Sequence, residues 1–415
     1  MTRRAQLGKR AVALVVWALV LVHILGRNAH FVGQSRSAPP AVVTATRWVE
    51  VRGAHLVPVG SSAPVNNLVD LTFANGSVGY GLARIEGALY PVRTDDGGRQ
   101  WVVRGPALVT GAASAPLEVG SIGAAIPSVA FAYGGGQVVD STEDGGSTWW
   151  ASRFDETLAA AGYGSTVWAV VEGDRAGAPI WLYESNSGGR RWVYTARLPG
   201  TGSAVELLRP DARTAYVLLA SSAGSLGDAY IMASTDGGVK WSVRSNPCGP
   251  LGKSVVFTQA QLLAASHDEL WLACGGPVTF NRGLGFQERK EVFSSEDGGR
   301  TWTAVAATLT RGGTNRLGRL PLSGAVGPTG VSHQVAFGNQ GYWIVLNQGI
   351  ASGPPRVVDQ PLLVRASDNG KKWQEVGEPL TRAHPIRVTT AGSGTVVQTT
   401  EGLWELAPSG KWSHL

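Results

Sequence analysis

Acid–base and nucleophilic chemistry needs a few side-chain types held together, so the carboxylates, imidazoles, hydroxyls and thiols of this 415-residue chain come first. Glycoside hydrolysis commonly uses two carboxylic acids across one bond. Asp70, Glu118 and Asp140 are candidates, but their contexts read as ordinary surface or turn positions. The seven histidines, among them His267, His333 and His384, are scattered without metal-ligand spacing. No Gly-x-Ser-x-Gly elbow is present to expose a nucleophilic serine. Gly134-Gly135-Gly136 reads as a hairpin turn and opens no helix that would cradle a phosphate. Cys248 and Cys274 are the only cysteines, and no Cys-x-x-Cys accompanies them, which disfavours zinc. In an oxidising compartment they would form a disulfide; two free thiols are the alternative. No catalytic, cofactor-binding or metal site is therefore expected.

The strongest pattern is a repeat. Ser295–Trp302 reads S-E-D-G-G-R-T-W, and it recurs as Thr94–Trp101 (T-D-D-G-G-R-Q-W), Thr142–Trp149 (T-E-D-G-G-S-T-W) and Ser234–Trp241 (S-T-D-G-G-V-K-W). Ser185–Trp192 carries Ser187 in the aspartate position, and Ala366–Trp373 carries Ala366 in the hydroxyl position. Ala407–Trp412 is an eroded last copy. Paired glycines supply the positive φ that tight hairpins require. An aspartate just ahead of them can accept from backbone amides two or three residues on, as in an Asx turn. Asp96, Asp144, Asp236, Asp297 and Asp368 take that role, and Trp101, Trp149, Trp192, Trp241, Trp302 and Trp373 anchor the returning strands. A fully buried tryptophan removes ~150–250 Å² from water, worth at most ~4–6 kcal/mol.

Successive tryptophans in this series lie 48, 43, 49, 61, 71 and 39 residues apart. A period in the forties built on strand–turn–strand units predicts four-stranded sheets repeated around an axis. We expect an all-β chain forming a single β-propeller of seven four-stranded blades, at about 64–105, 115–154, 157–199, 203–246, 252–309, 329–381 and 384–415. Thr46–Arg52 reads as a further outer strand that pairs with the last blade and closes the ring.

The eight-residue pattern resembles the Asp box, or bacterial neuraminidase repeat, of sialidases, sortilin-type receptors, xyloglucanases and photosystem II assembly factors. In those families the box is structural and lies on the rim, so the resemblance implies a fold and little about activity. The sialidases also carry an Arg-Ile-Pro motif ahead of the first box, and none precedes Thr94. Arg197-Leu198-Pro199 and Arg319-Leu320-Pro321 match it loosely, but after the third and fifth boxes. Xyloglucanase-type enzymes pair carboxylates across two propellers, and this chain has length for one. The resemblance covers roughly residues 64–415. In layout it points toward a non-catalytic binding or assembly scaffold, with a diverged sialidase-type glycoside hydrolase as the alternative.

The N-terminus differs from the rest. Residues 1–10 are basic, with Arg3, Arg4, Lys9 and Arg10. Residues 11–26 form an apolar run suited to a signal peptide or signal-anchor helix. An uncleaved anchor is favoured, because Arg27, Asn28 and His30 leave no clean cleavage site. It would place the propeller outside a single-pass cell membrane protein; secretion after cleavage is the alternative. Residues 27–45 read as a linker and 46–415 as the propeller. Residues 1–40 hold six Lys or Arg and no acid, so the remaining 30 basic and 30 acidic residues balance. The net +6 belongs to the leader, which argues against nucleic-acid binding.

Turns between second and third strands share one face of a propeller with the connections between blades. The long insertions 222–228, 276–289 and 348–360, with connection 311–327, all fall on that face, opposite the boxes. Loops on a rigid scaffold carry recognition. Phe280, Arg282, Phe286, Arg289, Arg316, Arg319 and Arg356 are the candidate contacts, for a protein or glycan of the cell envelope.

Overall fold

The computed structural model describes residues 39–47, 57–108, 120–134, 136–173, 178–201, 203–220, 230–248, 259–281, 285–307, 318–319, 331–336, 342–351, 357–367, 372–375, 385–407 and 409–415. Pro39–Leu415 form one compact unit. The described strands pair into seven sheets, each with four strands taken consecutively from the chain. Numbered in chain order, they span Leu68–Val103, Ser121–Arg153, Glu156–Thr201, Ser203–Arg244, Gln259–Ala307, Val331–Glu375 and Pro385–His414. The first strand of each sheet neighbours the first strand of the next, and Pro385–Ala391 returns to Leu68–Phe73. The result is a single all-β propeller.

The second strands show why these residues adopt this arrangement. Gly79–Ile85 is apolar at nearly every position because both its faces are covered. Tyr80 and Leu82 pack toward sheet two with Ile122, Ala130 and Trp149. Ala83, one residue on, packs toward sheet seven with Val396 and Leu403. The same alternation sends Val217 and Leu219 toward sheet three and Tyr216 and Leu218 toward sheet five. The hydrophobic core is thus a set of wedges between sheets, and every inner strand serves two of them.

The N-terminal approach corrects two expectations. Thr46–Arg47 does not pair with the last sheet: Arg47 lies opposite Trp150 and Thr46 opposite Ala151, on the outer strand of sheet two. The rest of the expected strand, residues 48–52, lies outside the described residues. Val42–Thr44, expected as linker, adds a fifth strand to sheet three opposite Arg191–Val193. Residues 60–63 then run beside the outer strand of sheet one, where Gly60 N donates to Val103 O and Ala63 N to Trp101 O, both at 2.8 Å. Outer strands present unpaired N–H and C=O groups, and an extended segment satisfies them. Val43 also inserts among Phe154, Trp181, Tyr183 and Trp192. Three outer edges thus recruit the approaching chain as a strap.

Among the described residues, side chains bridge the boundary where the ring closes. Arg387 of sheet seven pairs with Asp70 of sheet one. Gln398 Nε2 donates to Leu68 O at 2.8 Å across the same boundary. Among the described residues no helix is long and apolar enough to cross a membrane, and the apolar run 11–26 lies outside them.

Candidate functional site

The repeated octapeptides sit between third and fourth strands, and their side chains are consumed internally. In Thr94–Trp101 the Thr94 hydroxyl donates to Asp96 Oδ1 at 2.8 Å and accepts from Gly98 N at 2.9 Å. Asp96 Oδ1 also accepts from Gln100 N at 3.0 Å. Thr142, Asp144, Gly146 and Thr148 repeat the pattern, as do Ser234, Asp236, Gly238 and Lys240. In Ser295–Trp302, Asp297 gains a further bond from the Thr301 hydroxyl at 2.6 Å. That bond, the Thr301 N–H and the Ser295 hydroxyl hold the Asp297 carboxyl down at about 2. Ser187 fills the aspartate role by accepting from Arg191 N at 3.0 Å. Asp368 lies outside the described residues, and Trp373 lies opposite Ala366 in sheet six.

Each turn also leans on its neighbours. Gly238 has φ +85°, and a Cβ there would meet Trp168 and Leu182 of sheet three at 2.7 and 2.8 Å. Trp149 Nε1 donates to Arg104 O of sheet one at 2.6 Å, and Trp192 Nε1 to the Ser152 hydroxyl of sheet two at 2.7 Å. Trp302 Nε1 reaches back to Ser245 O beyond sheet four at 2.9 Å. Trp101 and Trp241 bond within their own turns, to Gly98 O and Gly238 O. Trp101, Trp149 and Trp192 are fully buried, whereas Trp241 and Trp302 are half-buried. These groups clip hairpins and sheets together.

Two carboxylates that sequence reasoning passed over lie on inner strands. Asp70 had read as a surface or turn group, yet its side chain is only 13% exposed. Its Oδ1 accepts from Leu71 N at 2.9 Å and pairs with Arg387; its Oδ2 accepts from Ile122 N of sheet two at 2.8 Å. One carboxylate thus ties sheets seven, one and two. Burial pushes its pKa up, and the Arg387 charge and backbone N–H donors pull against that. Glu206, in the first strand of sheet four, accepts from Leu262 N of sheet five in the same manner. Burial pushes it up to about 8, opposed by the Leu262 N–H. Asp140, read as surface, is fully buried. A missed signal was available for Asp70 and Glu206, since each is a lone acid in an otherwise apolar strand, Leu68–Phe73 or Ser203–Leu208.

Cys248 and Cys274 form a disulfide with a Cα–Cα distance of 5.6 Å, and both residues are fully buried. It joins the chain leaving sheet four to the second strand of sheet five. Just beyond Cys274 that strand does what the sequence did not suggest. The insertion expected as a loop at 276–289 is a two-stranded ribbon, with Val278 opposite Glu288, Phe280 opposite Phe286 and Asn281 opposite Gly285. In sheet six the expected loop 348–360 is likewise a ribbon, from Gln348 opposite Gln360 to Ala351 opposite Val357. Phe280, Phe286 and Arg289 are strand residues of the first ribbon, and Arg319 lies in a two-residue strand beside Ala307. Arg282, Arg316, Arg356 and the insertion 222–228 lie outside the described residues. Both ribbons stand on the face opposite the octapeptide turns, as second-to-third-strand connections must.

Among the described residues no group of three or more His, Cys, Asp or Glu could hold a metal ion. Both Asp70 oxygens and one Glu206 oxygen already accept from backbone N–H groups, two of these bonds crossing sheet boundaries.

No protein-family model matches the chain, and no curated protein matches it. Solved structures do. YCF48 bound to a D1 peptide is 14% identical with a TM-score of 0.54, over 89% of this chain and 98% of that one. An ancestral GH74 enzyme is 12% identical with a TM-score of 0.52, over 86% of this chain and 47% of the enzyme. The chain therefore spans about half of that enzyme. At these identities the likeness is one of fold, and it defines the class: a β-propeller.

Proposed function

We propose that this protein is a non-catalytic, seven-bladed propeller of the Asp-box type that serves as a binding or assembly scaffold at the cell surface. The observation that carries the reading is the pair of ribbons in sheets five and six. Among the described residues they are the longest strand pairs, and they project from the face opposite the octapeptide turns. The solved YCF48 structure, which holds a D1 peptide, offers a precedent for a protein ligand on such a ring. The basic and apolar leader, residues 1–26, supports export and retention at the membrane, with cleavage and secretion as the other outcome.

The test is turnover of a panel of fluorogenic glycosides, sialosides included, by the full chain. The scaffold reading expects none above buffer. Hydrolysis that scales with protein concentration and survives repurification would overturn it.

A further inference from the structure

The ring is complete without the first part of the strap, residues 39–47. Each of the seven sheets takes its own four strands from the chain after residue 67, and Arg387, Asp70 and Gln398 bridge sheets seven and one. Val42–Thr44 and Thr46–Arg47 lie outside those four, on the edges of sheets three and two. They are held mainly by main chain. Ala45 N donates to Arg190 O at 2.8 Å, and Tyr194 N to Ala41 O at 3.1 Å. The Tyr183 hydroxyl donates to Pro40 O at 3.0 Å. Between residues 41 and 47 only Ala45 is buried and Val43 half-buried; the other five side chains are exposed. A segment that buries so little opens readily while the body stays folded. Residues 60–63 differ, since they lead straight into Val65–Asn67 and Leu68–Phe73 of sheet one.

What this segment covers is larger than what it contributes. Val43 lies opposite Trp192 and packs against the cluster that holds Phe154 and Tyr183. The rings form one group, with centroids 5.1 Å apart for Phe154–Tyr183, 5.5 Å for Phe154–Trp192 and 6.1 Å for Tyr183–Tyr194. With the segment gone, this aromatic slot and the main chain of residues 191–194 would face water as an open sheet edge, which recruits another strand. The sequence shown to fit is residues 39–47, and every copy of the chain carries it. A strand that fits within one chain fits between two by the same bonds, so exchange sacrifices no contact. Nine residues, 48–56, separate Arg47 from Val57, whose N–H is tied to the Tyr90 hydroxyl of sheet one at 3.2 Å. Nine extended residues span roughly 30 Å. Outer strands form the perimeter of a ring, so a second ring can lie alongside them within that reach.

We propose that residues 39–47 are an exchangeable strand, and that two copies of this chain join by trading them, each filling the other's aromatic slot with its own Val43. The occupant is a second copy because the slot's register and its valine-sized filling match this sequence. Main-chain bonds along the edge supply affinity, and the slot selects the side chain. The inference stands apart from the scaffold reading. Where that reading also holds, a joined pair presents two binding faces at once and gains avidity for a repeated ligand.

The test uses Val42 and Val193, which lie opposite each other and are 41% and 40% exposed. The Tyr194–Ala41 bond beside them marks a non-hydrogen-bonded pair. Cα atoms of such pairs lie about 4.5 Å apart, inside the range a disulfide spans. The chain's own two cysteines are bonded to each other and buried, so introduced thiols have only each other. Full chains carrying Val42→Cys are mixed with full chains carrying Val193→Cys, concentrated and gently oxidised, and the linkage is read by peptide mapping. Neither chain can close this bond alone. The expected result is a dimer linked between positions 42 and 193 whose yield rises with protein concentration. Adding Val43→Asp to the Val42→Cys chain should lower that yield at least about tenfold. One chain carrying both cysteines should close the bond internally when dilute. Internal closure there, with no 42–193 dimer in the mixture, overturns the proposal. So does a dimer yield that Val43→Asp leaves unchanged. A double variant that forms no such bond overturns it too, since the segment would then not lie on sheet three.

Discussion

The rim of sheets one to three and the opposite face of sheets five and six use the same materials in contrary ways. On the rim every repeated group has an internal partner. Thr142, Asp144 and Gly146 satisfy one another, Trp149 is buried against sheet one, and extended chain covers the outer strands. On the other face the second and third strands of sheets five and six outrun their neighbours, and the described residues supply no cover for Gly285–Lys290. A buried, satisfied motif repeats because the fold needs it in every sheet. A feature built once, in two adjacent sheets, is free to serve a ligand. The most conspicuous sequence signal in this chain is thus a structural one, spent on internal bonds.

That contrast can be broken at the rim first. Trp149→Ala empties a fully buried site and removes the bond to Arg104 O, so we predict a loss of about 3–5 kcal/mol in chemical denaturation. Trp302→Ala, at a half-buried site, should cost visibly less; equal losses would erase the distinction between the two turns. At ring closure, Arg387→Met leaves Asp70 without its cation, and a destabilisation of about 3 kcal/mol is expected. A neutral result would mean that the Asp70–Arg387 pair does not hold the boundary between sheets seven and one.

Glu206 supplies a pH-dependent counterpart to Asp70. Its folded pKa of about 8 exceeds the ordinary glutamate value of 4.5, so the protonated form favours the fold. Its contribution is full below pH 4.5 and is lost as pH rises through about 8. Glu206→Gln should therefore flatten the melting profile between pH 5 and 8 and melt above the parent beyond pH 8. Parallel profiles for parent and variant would contradict this. At the small end, Asp297→Ala removes two bonds from Thr301 and one from Ser295 at an exposed turn, for about 1 kcal/mol by urea titration. A loss as large as that of Trp149→Ala would show that the turn, and not the tryptophan, is the anchor.

The octapeptide spacing made the sheets legible, because Gly-Gly and Trp must fall at fixed offsets in a clipped hairpin and the period is that of a four-stranded unit. The strap was not legible. Val42–Thr44 has only three residues, and its pairing is dictated by an open edge on sheet three, some 150 residues away. The ribbons read as loops because Gly276, Pro277, Gly283 and Gly285, and likewise Gly349, Gly353 and Pro354, are turn formers. Tertiary pairing overrode that composition. Asp70 and Glu206 were passed over because an acid in a strand usually faces solvent, and here the neighbouring sheet provides a backbone donor instead.

The central claim is that binding and stability are carried by different faces. Its most direct measurement is affinity capture from the native cell envelope, run beside thermal melts, for two full-length variants. One has both ribbons shortened at 276–289 and 348–360; the other is Asp297→Ala. The account predicts that the ribbon variant loses its partners at an unchanged melting temperature, while Asp297→Ala melts earlier and keeps them. The reverse pattern, or partners retained without the ribbons, would contradict it.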